Sequence, residues 1–514
     1  MSSKQANLIK EMMKTVPRGI EGRYLHEQQI PQARWIKPED ILASSALNYD
    51  PKNPDGKILF GALGDNLIGI KDNRHILTVA GSRAGKSVTV IANEFFYDGS
   101  LIAIDPKGEQ ATITAEARAK LGQKVYIIDP FEVVEGKAID YRASFNFLAN
   151  LTLDNRYVIE DTADLVDAII VSSPNERDPH WNESAGEFLT GVILHVCFSE
   201  SFENKDRHLG TVREMVMKVL EMTGDESKTP DLQTAMLDTA NFLASKEYEE
   251  IAIAIAQSTS SFYEKSGTEL TSVLSTLRRH IRFLSYPAIK RVIAKHDFNL
   301  TDLKTAPEGV SVYIVLPATR MSMCNRLFRM FINKLLADME REKTKPKQDI
   351  LMVLDEFPVL GHMKQLQDAA GQIASFSVKL WVILQDWGQG VSLYKDRFES
   401  FAANAGIFQA FGNVDNTTTE YISRKLGKTS VLTSTIGETK ASDKEQGMTG
   451  EKQNLQQFPL LEPDEVSRLF SRSDPLKRQL IMMAGKNPMI IQRVEYWNES
   501  GPLQKNVSTL NKVR

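Results

Sequence analysis

The stretch Ala80-Gly81-Ser82-Arg83-Ala84-Gly85-Lys86-Ser87 constrains this chain more than any other. The apolar, β-branched run Ile76-Leu77-Thr78-Val79 precedes it and predicts a buried strand. Residues 88–96, from Val88 to Phe96, predict a helix. Strand, small-residue loop, Gly-Lys-Ser and helix is the context a phosphate-binding P-loop needs. The loop's backbone N–H groups wrap phosphate oxygens, and the helix N-terminus adds partial positive charge. In this reading Gly81, Ser82, Arg83, Ala84, Gly85, Lys86, Ser87 and Val88 cradle a nucleotide. Lys86 reaches the β- and γ-phosphates, the Ser87 hydroxyl ligates Mg²⁺, and the chain binds and hydrolyses ATP. The strict pattern begins with Gly, where this chain has Ala80. An ordinary Gly/Ser turn ahead of a helix is the plainer alternative for such a loop taken alone.

A second element answers the first. Ile350-Leu351-Met352-Val353-Leu354-Asp355-Glu356 is an apolar strand that delivers two acids at its carboxyl end. Beside a P-loop, Asp355 would hold the Mg²⁺ shell and Glu356 would polarise the attacking water as general base. Gln385 ends the next apolar run, Val382-Ile383-Leu384, where it would touch the γ-phosphate or the water as a sensor. The catalytic set expected is therefore Glu356, Lys86 and Gln385, with Ser87 and Asp355 on the metal. Asp355 lies 269 residues after Lys86, far more chain than a bare nucleotide-binding core needs, so an insertion is expected between them.

The rest of the chain agrees. Strands and helices alternate over 76–142, which implies a mostly parallel, doubly covered sheet. Helical periodicity takes over from about 155 to 300, and strands return at 310–316. The expected fold is α/β, a P-loop ATPase domain with an inserted all-α domain. Its expected parts are a partly helical lead-in (1–57), the first part of the nucleotide-binding domain (58–154), the helical insert (155–300) and the second part of the nucleotide-binding domain (301–514). Ile58–Gly61 and Leu67–Ile70 predict a hairpin, and the polar stretch 433–457 predicts a mobile loop. The length of 514 residues fits two or three domains, and 42% hydrophobic with 25% charged residues is ordinary for a soluble globular protein. Cys197 and Cys324 sit in apolar helical context without metal-ligand spacing, which predicts buried thiols in a reducing compartment. No apolar run reaches the ~18 residues of a transmembrane helix.

Several further stretches resemble the TraG/TraD-type conjugative coupling proteins of type IV secretion. The most diagnostic is Ile104-Asp105-Pro106-Lys107-Gly108-Glu109. With it come Ala115-Glu116-Ala117-Arg118, Val125-Tyr126-Ile127-Ile128-Asp129-Pro130-Phe131 and Ser144-Phe145-Asn146-Phe147-Leu148. Asp178-Pro179-His180-Trp181, Val353-Leu354-Asp355-Glu356-Phe357, Leu384-Gln385-Asp386-Trp387-Gly388-Gln389 and Pro459-Leu460-Leu461-Glu462-Pro463 follow. The resemblance spans about 75–498. It implies a RecA-like motor with an all-helical domain, a homohexameric ring and ATP-driven movement of DNA. It also implies partners: a relaxase or relaxosome, and the inner-membrane ATPases and channel components of the secretion system. Such proteins usually carry transmembrane helices ahead of the motor. This sequence shows none, which leaves two expectations: a cytoplasmic variant recruited to the inner membrane's cytoplasmic face by a partner, or a shortened form of an anchored protein.

A DNA motor needs cations that face phosphate. The formal net charge is −4, so any DNA path must be a local patch. The densest basic run is Arg278-Arg279-His280-Ile281-Arg282, with Lys290, Arg291 and Lys295 behind it; a solvated helix face is its plainer reading. Lys364 and Lys379 flank a stretch that would face a ring pore, and Trp181 would anchor a partner or fill the core. Arg320, Arg397 and Arg424 are candidates for an arginine donated to a neighbouring subunit's site. Two other functions fit the same motifs: an ATP-dependent receptor for protein effectors, and a nucleotide-gated assembly scaffold.

Overall fold

The computed structural model describes residues 3–14, 32–171, 180–222, 232–265, 267–361, 366, 371–395, 397–436, 451–498 and 501–503. In chain order the strands are β1 (Ile58–Leu63), β2 (Asn66–Ile70), β3 (His75–Ala80), β4 (Leu101–Ile104), β5 (Lys124–Ile128), β6 (Val310–Ile314) and β7 (Ile350–Leu354). They continue with β8 (Val378–Leu384), β9 (Ala405–Phe411), β10 (Lys428–Ile436), β11 (Glu451–Pro459), β12 (Arg478–Met483) and β13 (Met489–Gln492). The chain forms two compact units: residues 1–98, 351–358 and 379–514, and residues 99–350 with 359–378.

The first unit carries the loop singled out above. β3 is parallel to both β8 and β9, and β7 neighbours β8. β3, β7 and β8 are buried along their whole length, as continuous Val/Ile/Leu runs in a parallel sheet should be. Antiparallel strands extend this core through β12, β13, β1 and β2, and β1–β2 is the expected hairpin. A buried hydrogen-bond chain crosses the strands. Trp381 Nε1 donates to Thr78 Oγ1 (2.8 Å), and Thr78 donates to Gln409 Oε1 (2.7 Å). Gln409 donates to Gln479 Oε1 (2.6 Å), and Gln479 donates to the Phe60 carbonyl (2.6 Å). Each polar group inside an apolar sheet thus has a partner, and the chain of bonds specifies which strand lies beside which.

The stretch 433–457 differs from its expectation. β10 and β11 pair antiparallel from Lys428↔Pro459 to Ile436↔Glu451, so the described part is a two-stranded ribbon; 437–450 lie outside the described residues. Lys379 is also not where a pore-facing cation belongs: it is buried in β8 and lies close enough to Asp72 to favour that carboxylate's charged form. Lys364, Asp178 and Pro179 lie outside the described residues.

The second unit combines β4, β5 and β6, with β6 parallel to both of the others, and a helical group. Helices cover Val158–Ile169, His180–Phe198, Leu209–Met222, Leu232–Ser245, Glu249–Tyr263, Gly267–Ile281 and Pro287–Ile293. The His180–Phe198 helix is buried along most of its length and sits among the others. Phe188 stacks on Phe262 (centroids 3.6 Å apart), and a Cβ at Gly191 would lie 1.9 Å from Ser258 Oγ. That glycine permits the close approach of the two helices. Cys197 and Cys324 are buried free thiols, and burial pushes them up to about 12 and about 11.

Candidate functional site

β3 ends at Ala80, which is fully buried and pairs in register with Phe411 of β9. Ala80, Ala84 and Phe411 form a small apolar cluster, so the methyl group at position 80 packs beneath the loop. The tight position is one residue later. A Cβ on Gly81 would lie 1.9 Å from the Gly412 carbonyl oxygen. The Gly81 N–H donates to Phe411 O (3.1 Å), and the Ala84 N–H donates back to Gly81 O (3.2 Å). Gly85, at φ +96°, then turns the chain into the helix Lys86–Phe96, a conformation that favours glycine.

This geometry presents Ser82 and Arg83 to solvent and leaves Lys86, Ser87 and Val88 half-buried at the helix start. The Lys86 Nζ is 3.6 Å from Glu356 Oε1. Gln385 Nε2 donates to both oxygens of the same carboxylate, at 3.2 and 3.0 Å. Lys86, Glu356 and Gln385, widely separated in the chain, therefore converge. Asp355 is buried at the end of β7, and its Oδ1 accepts the Glu356 N–H (3.1 Å). Glu356 itself has φ +57°, a left-handed conformation rare outside glycine. Gln385 is steadied in turn: its N–H donates to Gln389 Oε1 (3.0 Å), and Asp386 caps the helix Trp387–Tyr394 through the Gln389 N–H (2.9 Å). The structure thus gives Gln385 a task the motif did not specify, that of holding the Glu356 carboxylate.

Sequence reasoning missed Arg493. It follows β13, and its Nη1 donates to the Ala84 carbonyl (2.6 Å) while its guanidinium lies 5.1 Å from the Phe411 ring centroid. Burial holds its pKa below the ordinary arginine value, opposed by Asp474 and Glu495. The only signal was a charged residue directly after a short buried strand. The strand-end acids Asp105 and Asp129 take a different role. Asp105 accepts the N–H groups of Lys107 (3.2 Å) and Ala111 (2.9 Å). Asp129 accepts those of Val133 (2.9 Å) and Val134 (3.0 Å). Both satisfy orphan backbone donors where a strand turns into the next segment. Arg320, Arg397 and Arg424 are all exposed.

A strand–loop–helix of this geometry, with an acid-bearing strand two places away in a parallel core, defines the RecA-like P-loop class of α/β proteins. Residues 25–514 match the family described as "Type IV secretory system Conjugative DNA transfer", and the chain belongs to that family. It is 28% identical over 476 residues to the conjugal transfer protein TraG of Escherichia coli, covering 87% of this chain and 71% of that protein. Among solved structures it is similar to the bacterial conjugative coupling protein TrwBdeltaN70 in its unbound form. That match has TM-score 0.58 and 13% identity, over 93% of this chain and 96% of the other. The plasmid coupling protein TrwB in complex with ADP and Mg²⁺ matches with TM-score 0.57 and 12% identity, over 90% and 94%. Among the described residues no helix is long and apolar enough to cross a membrane.

Proposed function

We propose that this protein is an ATP-hydrolysing coupling protein that recruits a DNA–relaxase substrate and pumps it to a type IV secretion channel. The convergence of Lys86, Glu356 and Gln385 on a P-loop scaffold carries the reading. Family membership and the TraG relatives support the conjugative role, and the nucleotide-bound TrwB neighbours support the ligand.

The residues have distinct tasks. The loop N–H groups other than those of Gly81 and Ala84, which bond within the protein, receive the phosphates together with the helix start. Lys86 exchanges its ion pair with Glu356 for the β- and γ-phosphates, which releases the carboxylate to take a proton from the attacking water. Gln385 keeps that carboxylate oriented during the exchange. The hard oxygens of Ser87 and Asp355 suit Mg²⁺, and among the described residues no group of three or more His, Cys, Asp or Glu competes for a metal. Mg²⁺ held there would neutralise charge on the β- and γ-phosphates. In a homohexamer a neighbour would add an arginine, for which Arg320, Arg397 and Arg424 remain candidates. The protein would act at the cytoplasmic face of the inner membrane, with a partner of the secretion apparatus.

ATP turnover measured with and without single- and double-stranded DNA tests the reading. DNA-stimulated turnover that is lost in Lys86→Ala and in Glu356→Gln is expected, with Glu356→Gln still binding ATP. Turnover indifferent to DNA transfers the assignment to a receptor for protein effectors. Absence of turnover leaves a nucleotide-gated scaffold.

A further inference from the structure

A cavity of about 460 Å³ opens beside the P-loop. One wall is the loop and first helical turn, including Ala84, Gly85, Val88 and Thr89; the other is C-terminal chain from 472–477 and 493–497. Phosphates at the loop leave the rest of a nucleotide to be placed, and this cavity adjoins the residues directly after Ser87. Its size falls in the range of small-molecule sites.

Four charged side chains of the C-terminal wall, Asp474, Lys477, Arg493 and Glu495, are already engaged. Asp474 accepts from the Arg478 Nε (3.0 Å) and Nη2 (2.9 Å). Lys477 is ion-paired with Glu495, and Arg493 holds the Ala84 carbonyl. Trp497 is different: it is 44% exposed although it lines the cavity. Tyr496 braces it edge-on (4.8 Å, 84°), and Tyr496 rests against Phe95 (5.6 Å). An exposed indole on a rigid aromatic footing is suited to stack on a planar base.

We infer that this cavity is the base-and-ribose pocket of the nucleotide site, with Trp497 stacking on the base and Arg493 as the positioning residue that fastens the loop to the pocket wall. The inference rests on the ATP reading given above. Because the acids of the wall are paired, recognition relies on the π-face of the base more than on its edge, which favours purines over pyrimidines by stacking area.

Titration calorimetry with ATP and with inorganic tripolyphosphate, on the full chain, separates the pocket from the loop. Trp497→Ala is expected to weaken ATP about tenfold through loss of base stacking. Tripolyphosphate binding should be unchanged, which also shows that the variant is folded, and Trp497→Phe should recover most of the ATP affinity. Lys86→Ala should weaken both ligands. Unchanged ATP affinity in Trp497→Ala, or equal loss for both ligands, overturns the pocket while leaving the phosphate site standing. If the native protein binds neither ligand, the nucleotide reading has failed and the pocket falls with it.

Discussion

Glu356 is the most constrained residue of the site. A non-glycine residue in the left-handed region costs about 1–3 kcal/mol, and here it is the residue proposed as base. Its carboxylate is fixed from two sides, by Lys86 and by the Gln385 amide. Removing the amide should leave nucleotide binding to the loop and Lys86 while the base loses its orientation. Gln385→Ala is therefore expected to lower kcat about tenfold or more, within the ~10²–10⁴ that a general base contributes, with KM changed less than about threefold. Steady-state kinetics with a separate ATP titration checks this; a rise in KM at constant kcat would instead make Gln385 a binding residue. Asp355 and Glu356 stand out in the sequence because they follow an apolar strand, and Lys86 because it opens a helix after a small-residue loop; the structure brings Lys86 and Glu356 together. Arg493 does not stand out, since its partner Ala84 is 409 residues away and a lone arginine carries no periodic signal. Position 80 was legible only as a departure from a pattern. Packing against Ala84 and Phe411 shows that a methyl fits there and that Gly81 is where it would clash.

Elements were legible where burial is one-sided or complete. The helices between 158 and 293 follow their apolar period, and β3, β7 and β8 are unbroken apolar runs bounded by polar residues. The β10–β11 ribbon was not, because Thr, Ser and Gln dominate it and polarity masked the β-branched content of Thr429, Val431 and Thr433. Nor does any local pattern reveal that Thr78, Gln409 and Gln479 join across β3, β9 and β12, a partnership made only by strand order. Gln409→Leu would strand the Thr78 hydroxyl and the Gln479 carbonyl in the sheet. We expect a loss of about 2–4 kcal/mol in urea unfolding, partly recovered when Gln479→Leu is added. In the second unit, His195 lies buried in the central helix with Nδ1 2.8 Å from Thr239 Oγ1, and burial lowers its pKa from 6.5 to about 4. Between those values the unfolded chain binds a proton that the folded chain does not. Stability therefore falls as pH drops from about 6.5 towards 4, by about 3 kcal/mol from this group. Urea midpoints across that pH range should show the fall, and His195→Gln should flatten it.

At the scale of the whole molecule, charge would decide where the proposed DNA substrate runs. A chain of net charge −4 has no general attraction for a polyanion, so the proposed DNA path would have to follow a local concentration of cations. The second unit holds one. Burial first, and then Arg279, Arg329 and Arg282, keep the Arg326 pKa below its ordinary value, which places several guanidinium groups within reach of one another's fields. Arg326 is tied down by the Ile169 carbonyl (2.8 Å) and by His280 Nδ1 (3.1 Å), whereas Arg279 and Arg282 are exposed. Several guanidinium groups gathered at one surface raise the local positive potential, and a phosphate is attracted most where that potential is highest. A solvated helix face, the plainer alternative, predicts independent side chains and no such attraction. If the cluster is the path, Arg279→Ala with Arg282→Ala should weaken DNA binding uniformly across sequences. The slope of log K against log[salt] should flatten by about 1–2, at ~0.7–0.9 for each phosphate no longer neutralised. DNA-stimulated turnover should fall with it, while turnover without DNA should persist because neither residue belongs to the P-loop unit. An unchanged salt slope would put the DNA path elsewhere and leave the cluster to an anionic protein partner.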